Sequence, residues 1–345
     1  MKKPIAIDLF SGCGGLTLGL RQANFRVVGA VEIDPLAVET YQANHPRVIL
    51  WPRDIRGLPA SEVMRKLKLR KGQLDLLAGC PPCQGFSRMR TRNGQRAMRY
   101  PHNELIRDFA RFVRKLLPKT VMLENVPGLK GHWRFRKFCR MLLRLNYDVN
   151  WDVRNAADFG VAQRRQRLIM VASRVGDISL PRRRKVKMTV RDAIRGLPRA
   201  GSSGDPIHDF PEYRAPHVRA KIARIPADGG SRTDLPPRDQ LPCHRRCTGF
   251  KDVYGRMAWD EVAPTITGGC FNPSKGRFLH PYENRAITMR EAALLQGFPA
   301  KYSFPTGGKQ AVAQMIGNAL PPPFIRNHAR PINARLRRMK RGSRR

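Results

Sequence analysis

Asp8-Leu9-Phe10-Ser11-Gly12-Cys13-Gly14-Gly15 is the stretch that decides the fold. It continues an apolar run over residues 5–10 that reads as a buried strand, and it opens a helix read over residues 16–23. Glycines at 12, 14 and 15 let the backbone turn tightly and approach a ligand closely. A ligand carrying an amino-acid or phosphate group suits the N-terminus of such a helix. The spacing is not the dinucleotide pattern G-x-G-x-x-G, because residue 17 is Thr17. Glu32 ends the next apolar run, at the distance where a carboxylate accepts ribose hydroxyls. Asp54 closes a third such segment and is placed to face an adenine amino group.

Working outward, short apolar runs at residues 26–33, 74–79 and 120–124 alternate with amphipathic runs at 35–44, 104–117 and 135–145. Two further strands are expected at 150–155 and 167–172. The alternation predicts an α/β fold, a doubly wound and mostly parallel sheet covered by helices. Near Ser173 the texture changes, and as far as Arg285 the chain is rich in Pro, Gly, Arg and Asp. That predicts a smaller, loop-rich second domain. Thr288 with Glu291 forms a capping-box pattern, so a helix is expected over 288–297, and another starts near Pro322. The expected division is a first domain over 1–173, a second over 174–287, a return segment over 288–330 and a disordered basic tail over 331–345.

The chain of 345 residues carries 66 Lys and Arg against 26 acidic residues, a formal net charge of +40. Such a surplus favours a polyanionic partner, nucleic acid first among them. No apolar run approaches the roughly 20 residues that span a bilayer. The start reads as a strand rather than a leader, so an intracellular, cytoplasmic protein is expected. Seven cysteines at irregular spacings are not a disulfide framework. Cys243 and Cys247, with His208 and His217 upstream, lack the second close pair of a structural zinc site, and no metal is expected.

The chemical end follows the strand read at 74–79. Pro81-Pro82-Cys83-Gln84 places a thiol in a rigid loop at the carboxyl end of a strand, where doubly wound sheets keep their sites. A thiol so placed among arginines reads as a nucleophile. The following strand ends in Glu124-Asn125-Val126, a carboxylate suited to acid or hydrogen-bond work. In Gln163-Arg164-Arg165-Gln166-Arg167, an extended backbone would put Gln163, Arg165 and Arg167 on one face.

In this order the motifs resemble those of the DNA cytosine-5 methyltransferase family, of the bacterial and phage restriction-modification type. Residues 8–15 resemble its first cofactor motif and Glu32 its ribose-binding acid. Residues 81–87 resemble its catalytic loop, and Glu124-Asn125-Val126 and residues 163–167 its next two active-site motifs. Pro264-Thr265-Ile266-Thr267, residues 288–299 and residues 314–322 resemble its later elements. Two departures stand out: Arg53 and Cys80 occupy positions where the family commonly has Gly. Cys80 creates a C-x-x-C with Cys83, but the Pro-Pro interior argues against thioredoxin-like redox chemistry.

The resemblance implies a Rossmann-like methyltransferase fold with S-adenosyl-L-methionine as cofactor. Its binding residues would be Phe10, Ser11, Gly12, Gly14, Gly15, Leu16, Glu32, Ile33, Asp54, Ile55, Pro82, Asn318 and Ala319. The catalytic set would be Cys83, Glu124, Arg165, Gln163 and Arg167, with Cys83 adding to carbon 6 of a flipped-out cytosine, Glu124 at N3 and Arg165 at O2. The implied substrate is double-stranded DNA read by the loop-rich domain. The protein would act as a monomer near the nucleoid, with a restriction endonuclease of the same system as a candidate partner. A tRNA cytosine-5 methyltransferase of the same fold and a non-catalytic DNA-binding module are the competing readings.

Overall fold

The computed structural model describes residues 2–82, 105–183, 185–240, 249, 251–305 and 307–342. Of the expected catalytic loop, Pro81 and Pro82 are described, while Cys83 and the residues after it in that loop, and Cys243 and Cys247, lie outside the described residues. The chain divides into two compact units. The first holds Met1–Phe159, Gln166–Arg183 and Leu320–Arg345; the second holds Gly160–Arg165 and Arg184–Ala319.

The first unit is built on a seven-stranded sheet of order β3-β2-β1-β4-β5-β7-β6. Its strands are β1 (Ile5–Leu9), β2 (Arg26–Glu32), β3 (Ile49–Pro52), β4 (Leu76–Gly79), β5 (Thr120–Asn125), β6 (Asp148–Asn155) and β7 (Gln166–Ser173). The first five run parallel. β7 is antiparallel to both β5 and β6. β1 follows the expected run but stops at Leu9, because Phe10 takes a left-handed φ of 62° that no strand accepts.

The central strands β4 and β5 are buried throughout, as in a sheet covered on both faces. On one face Ile7, Leu9, Leu77, Val121 and Leu123 join a core cluster with Phe109, Phe112, Phe135 and Phe138. Those phenylalanines come from α4 (Leu105–Leu116) and α5 (Trp133–Arg144), after α1 (Gly15–Gln22), α2 (Pro35–Asn44) and α3 (Ala60–Lys66). The last helix of the chain, α10 (Pro322–Gly342), packs along α1. The expected disorder after residue 330 is therefore corrected for the described residues, as far as Gly342. The helix continues because Ile332 and Leu336 are fully buried, Asn333 Nδ2 donates to Asn24 O at 3.2 Å and Lys340 Nζ meets Asp75 Oδ2 at 3.1 Å.

The second unit is loop-rich, as its composition predicts. Among its described residues are α6 (Val190–Ile194), α7 (Pro216–Arg224), α8 (Met289–Leu295) and α9 (Gly308–Asn318), and no strand longer than an isolated bridge. Buried arginines do the joining that strand ladders do elsewhere. Arg256 is 2% exposed and donates to the carbonyls of Ile222, Ile225, His280, Tyr282 and Glu283. Residues 288–319 cluster with this unit and the chain from Leu320 with the first, where a segment over 288–330 completing the first domain was expected. Arg290 ties α8 to Asp205 and to Tyr302 O, and His208 Nδ1 lies 2.7 Å from Thr288 Oγ1. The expected capping box is present: Glu291 N donates to Thr288 Oγ1 at 3.1 Å and Thr288 N to Glu291 Oε2 at 2.7 Å.

Candidate active site

Both chemical groupings of the first unit lie where its parallel strands end. The glycine turn follows β1. Gly12 and Gly14 adopt φ of 53° and 96°, so the choice of glycine is conformational. Gly14, in this left-handed state, is the residue before α1. Glu32, at the end of β2, is fixed by three backbone donors: Gly12 N at 2.7 Å, Ile33 N at 2.9 Å and Asp34 N at 3.0 Å. The turn and the acid, read separately in the sequence, are thus one structure. Beneath them, Asp8 is fully buried and accepts from Thr17 Oγ1 at 2.7 Å, and Thr17 Oγ1 lies 2.8 Å from Tyr41 Oη. Burial, helped by repulsion from Glu32, raises the Asp8 carboxyl to about 7.

Beside the turn is a cavity of about 210 Å³ lined by Phe10, Val31, Glu32, Ile33, Arg53, Asp54, Ile55, Arg56, Pro82 and Leu105. Six of the expected cofactor residues line it: Phe10, Glu32, Ile33, Asp54, Ile55 and Pro82. Ile33 is 61% exposed, an apolar surface offered to a ligand. Asp54 caps the short turn after β3 and is bonded by Arg56 N at 2.9 Å and Arg56 Nε at 2.8 Å. Carboxylate acceptors among apolar walls fit a nucleoside with free hydroxyls and an amino-substituted base. Ser11 is buried, with its N–H on Val31 O at 3.0 Å, and acts in the turn. Gly15 and Leu16 begin α1 and are buried. Asn318 and Ala319 belong to the second unit, where Asn318 ends α9 and Ala319 O accepts from Gln296 and Arg165.

The second grouping is at the ends of β4, β5 and β7. Glu124 is 1% exposed near the end of β5. Arg167 Nε reaches its Oε1 at 3.0 Å from β7. Cys80 Sγ donates to its Oε2 at 2.9 Å from the residue after β4. Asn125 Nδ2 donates to Pro81 O at 2.9 Å and so fixes the base of the loop that leads into Cys83. The side chains of Cys80 and Asn125 act here, although the sequence flagged Cys80 only as a departure from a glycine.

The three expected residues of the Gln163–Arg167 motif part company. Only Arg167 lies in β7, which starts at Gln166. Gln163 is fully buried in the second unit, donating to Leu295 O at 3.2 Å and accepting from Ile266 N at 3.0 Å. Arg165, 2% exposed, donates to Ile266 O at 2.9 Å, Gly317 O at 2.8 Å and Ala319 O at 3.3 Å. The single extended face expected for all three is not formed, because the backbone of residues 163–164 bonds to Ala263 before the strand begins.

A cavity and a buried acid–cation pair, both at the carboxyl edge of a mostly parallel sheet, define a doubly wound α/β protein with its site where such enzymes keep theirs. Comparison with known proteins gives the family. The C-5 cytosine-specific DNA methylase family matches residues 5–334. The chain is 35% identical over 330 residues to the type II methylase M.HgiDII of Herpetosiphon aurantiacus, covering 91% of each. It is also 35% identical over 323 residues to the type II methyltransferase M1.HphI of Haemophilus parahaemolyticus, covering 92% of this chain and 83% of that one. Among solved structures, a prophage-encoded E. coli protein described as a DNA modification methyltransferase superposes with a TM-score of 0.76 at 26% identity, over 97% of this chain and 99% of that one. The chain belongs to the C-5 cytosine-specific DNA methylase family. The names of its relatives favour DNA over tRNA as substrate, and the family implies S-adenosyl-L-methionine as methyl source. Among the described residues, no helix is long and apolar enough to cross a membrane.

Proposed function

We propose that this protein methylates carbon 5 of a flipped-out cytosine in a specific double-stranded DNA sequence through a covalent adduct on Cys83. The observation that carries the reading is the buried Glu124–Arg167 pair, at the strand ends beside the loop that leads into Cys83. Carbon 5 of cytosine is a weak nucleophile. Addition of the Cys83 thiolate to carbon 6, with a proton placed on N3, converts the ring to an enamine whose carbon 5 is nucleophilic. Glu124 supplies or holds that proton and accepts from the exocyclic amine. Arg167 offsets the charge at the base carbonyl O2 and at Glu124. The O2 role expected for Arg165 passes to Arg167 in this proposal, because the Arg165 donors serve three backbone carbonyls. Once carbon 5 is methylated, a water or hydroxide takes the carbon 5 proton, the thiolate leaves carbon 6 and N3 returns its proton to Glu124, which restores the aromatic ring and the free enzyme.

S-adenosyl-L-methionine, when bound, supplies an electrophilic methyl group. Glu32 accepts the ribose hydroxyls, Asp54 faces the adenine amino group, and Phe10, Ile33, Ile55 and Pro82 give apolar walls. Assignment of Asn318 and Ala319 to the cofactor rests on the sequence motif. Residues 174–287 read the DNA sequence through groove contacts from Arg, Lys, Asn or Gln. The protein works as a monomer at the nucleoid, and a restriction endonuclease of the same system is its counterpart.

The test is methyl transfer from labelled S-adenosyl-L-methionine to duplex DNA and to tRNA, with bisulfite sequencing of DNA from expressing cells. Transfer to DNA within one sequence motif, lost in Cys83→Ser, is expected. Transfer to tRNA alone, or a Cys83→Ser protein as active as the parent, would overturn the proposal.

A further inference from the structure

Cys80 stands where the family commonly has glycine, yet its side chain is directed at the buried acid Glu124. We infer that Cys80 is a positioning residue for Glu124: its thiol hydrogen bond holds the carboxylate and sets how readily it gives up a proton to the base. The inference rests on the reading of Glu124 as the acid at N3.

The two oxygens of Glu124 are served from two different strands. Arg167, from β7, lies 3.0 Å from Oε1, and the Cys80 thiol, following β4, lies 2.9 Å from Oε2. On the strand of Glu124 itself, the neighbouring Asn125 turns its amide to Pro81 O. Arg167 and Cys80 both favour the anionic carboxylate, one by charge and one by donation. Burial at 1% exposure opposes them and favours the neutral acid. When the proton passes to N3, the negative charge returns to Glu124 in a site of low dielectric. A donor already aimed at Oε2 stabilises that charge without having to reorient. Glycine offers no such group, and serine keeps one.

The sign of the pH effect follows. The thiol stabilises the charged carboxylate, so its loss favours the protonated form. An acid needed in its protonated form then stays competent to higher pH, and the alkaline limb of the rate profile moves up. At the same time the charge formed on proton transfer loses a donor, and kcat falls.

The measurement is kcat and KM for duplex DNA across about pH 6 to about pH 10 for the parent, Cys80→Ala, Cys80→Gly, Cys80→Ser and Glu124→Gln. Cys80→Ala and Cys80→Gly are expected to lose about fivefold in kcat, with KM for DNA unchanged and the alkaline limb displaced upward. Cys80→Ser is expected to restore both kcat and the position of the limb. Glycine provides a backbone-compatible second variant should alanine fail to fold. If Cys80→Gly keeps the parent kcat and limb while Glu124→Gln is inactive, the role of Cys80 is overturned and that of Glu124 stands. If Glu124→Gln is as active as the parent, the reading of Glu124 fails and this inference fails with it.

Discussion

Two arginines separated by a single residue do different work. Arg165 is spent on the carbonyls of Ile266, Gly317 and Ala319, while Arg167 lies against Glu124. Arg165→Ala would leave those buried acceptors unpaired and should cost roughly 3 kcal/mol or more of stability, read by denaturant unfolding. Arg167→Lys keeps a cation near Glu124 but loses the planar donor. It should hold the parent Tm and lose about 100-fold in kcat. The reverse pattern would exchange the two roles. Asp8 gives a prediction in pH. Its native carboxyl is raised to about 7, mainly by burial, so the native state favours the protonated acid. Its contribution to stability is fully present below the ordinary carboxylate value and is lost as pH rises through about 7. His45 and His328 act in the opposite sense: burial lowers both to about 4, and their contribution is lost as pH falls through that value. Asp8→Asn, which still accepts from Thr17, should therefore melt several degrees above the parent at about pH 8 and little differently at about pH 3. Equal melting temperatures at the higher pH would show that Asp8 stays ionised in the native state.

At the scale of elements, the glycine of interest lies inside α1. A Cβ on Gly19 would meet Ile325 Cβ at 2.6 Å and Pro322 O at 2.7 Å. One of those neighbours is backbone, so relief requires α1 and α10 to separate. Gly19→Ala should cost about 1–3 kcal/mol despite the better helix propensity of alanine, and calorimetry would show it as a lower Tm. A stabilised variant would mean that the two helices slide freely. This contact was not legible in the sequence, where Gly19 is one more glycine after a glycine-rich turn. What was legible has local causes. The β1 turn, the strand ends and the Thr288–Glu291 capping box are each written in a few adjacent residues. Glu32 was legible because its distance from the turn is fixed by one strand and one helix. Helix α9 was missed, because Gly308, Gly317 and polar residues blur its periodicity. Gly317 has its own tertiary reason: a Cβ there would meet Gly268 N at 2.2 Å. The parting of Gln163 and Arg165 from Arg167 was equally hidden, since it depends on Ala263 and Ile266, about a hundred residues further along.

For the whole molecule, the formal charge of +40 describes two populations of basic residues. Some are internal: Arg165, Arg256 and Arg290 are nearly buried and bonded to carbonyls or paired with an acid, so they hold the loop-rich unit together. Only the exposed remainder is available to a phosphate backbone. The last fifteen or so residues show how composition misleads here. As a run of Arg and Lys they read as a free arm, whose removal would weaken DNA binding through lost counterion release and leave the fold alone. In the structure those of them as far as Gly342 belong to α10, with Ile332 and Leu336 buried and Lys340 on Asp75. Asp75 also accepts from Ile5 N at 3.0 Å and Lys119 Nζ at 2.7 Å, so the helix end is tied to the first strand of the sheet. A chain ending after Arg330 should therefore unfold at lower denaturant concentration, in addition to any loss of DNA affinity. Leu336→Ala in the full chain separates the two effects, since it leaves the charge unchanged. It should cost about 2–4 kcal/mol and leave the salt dependence of DNA binding as in the parent. A truncated protein with the parent stability and a shallower salt dependence would restore the reading of a free basic arm.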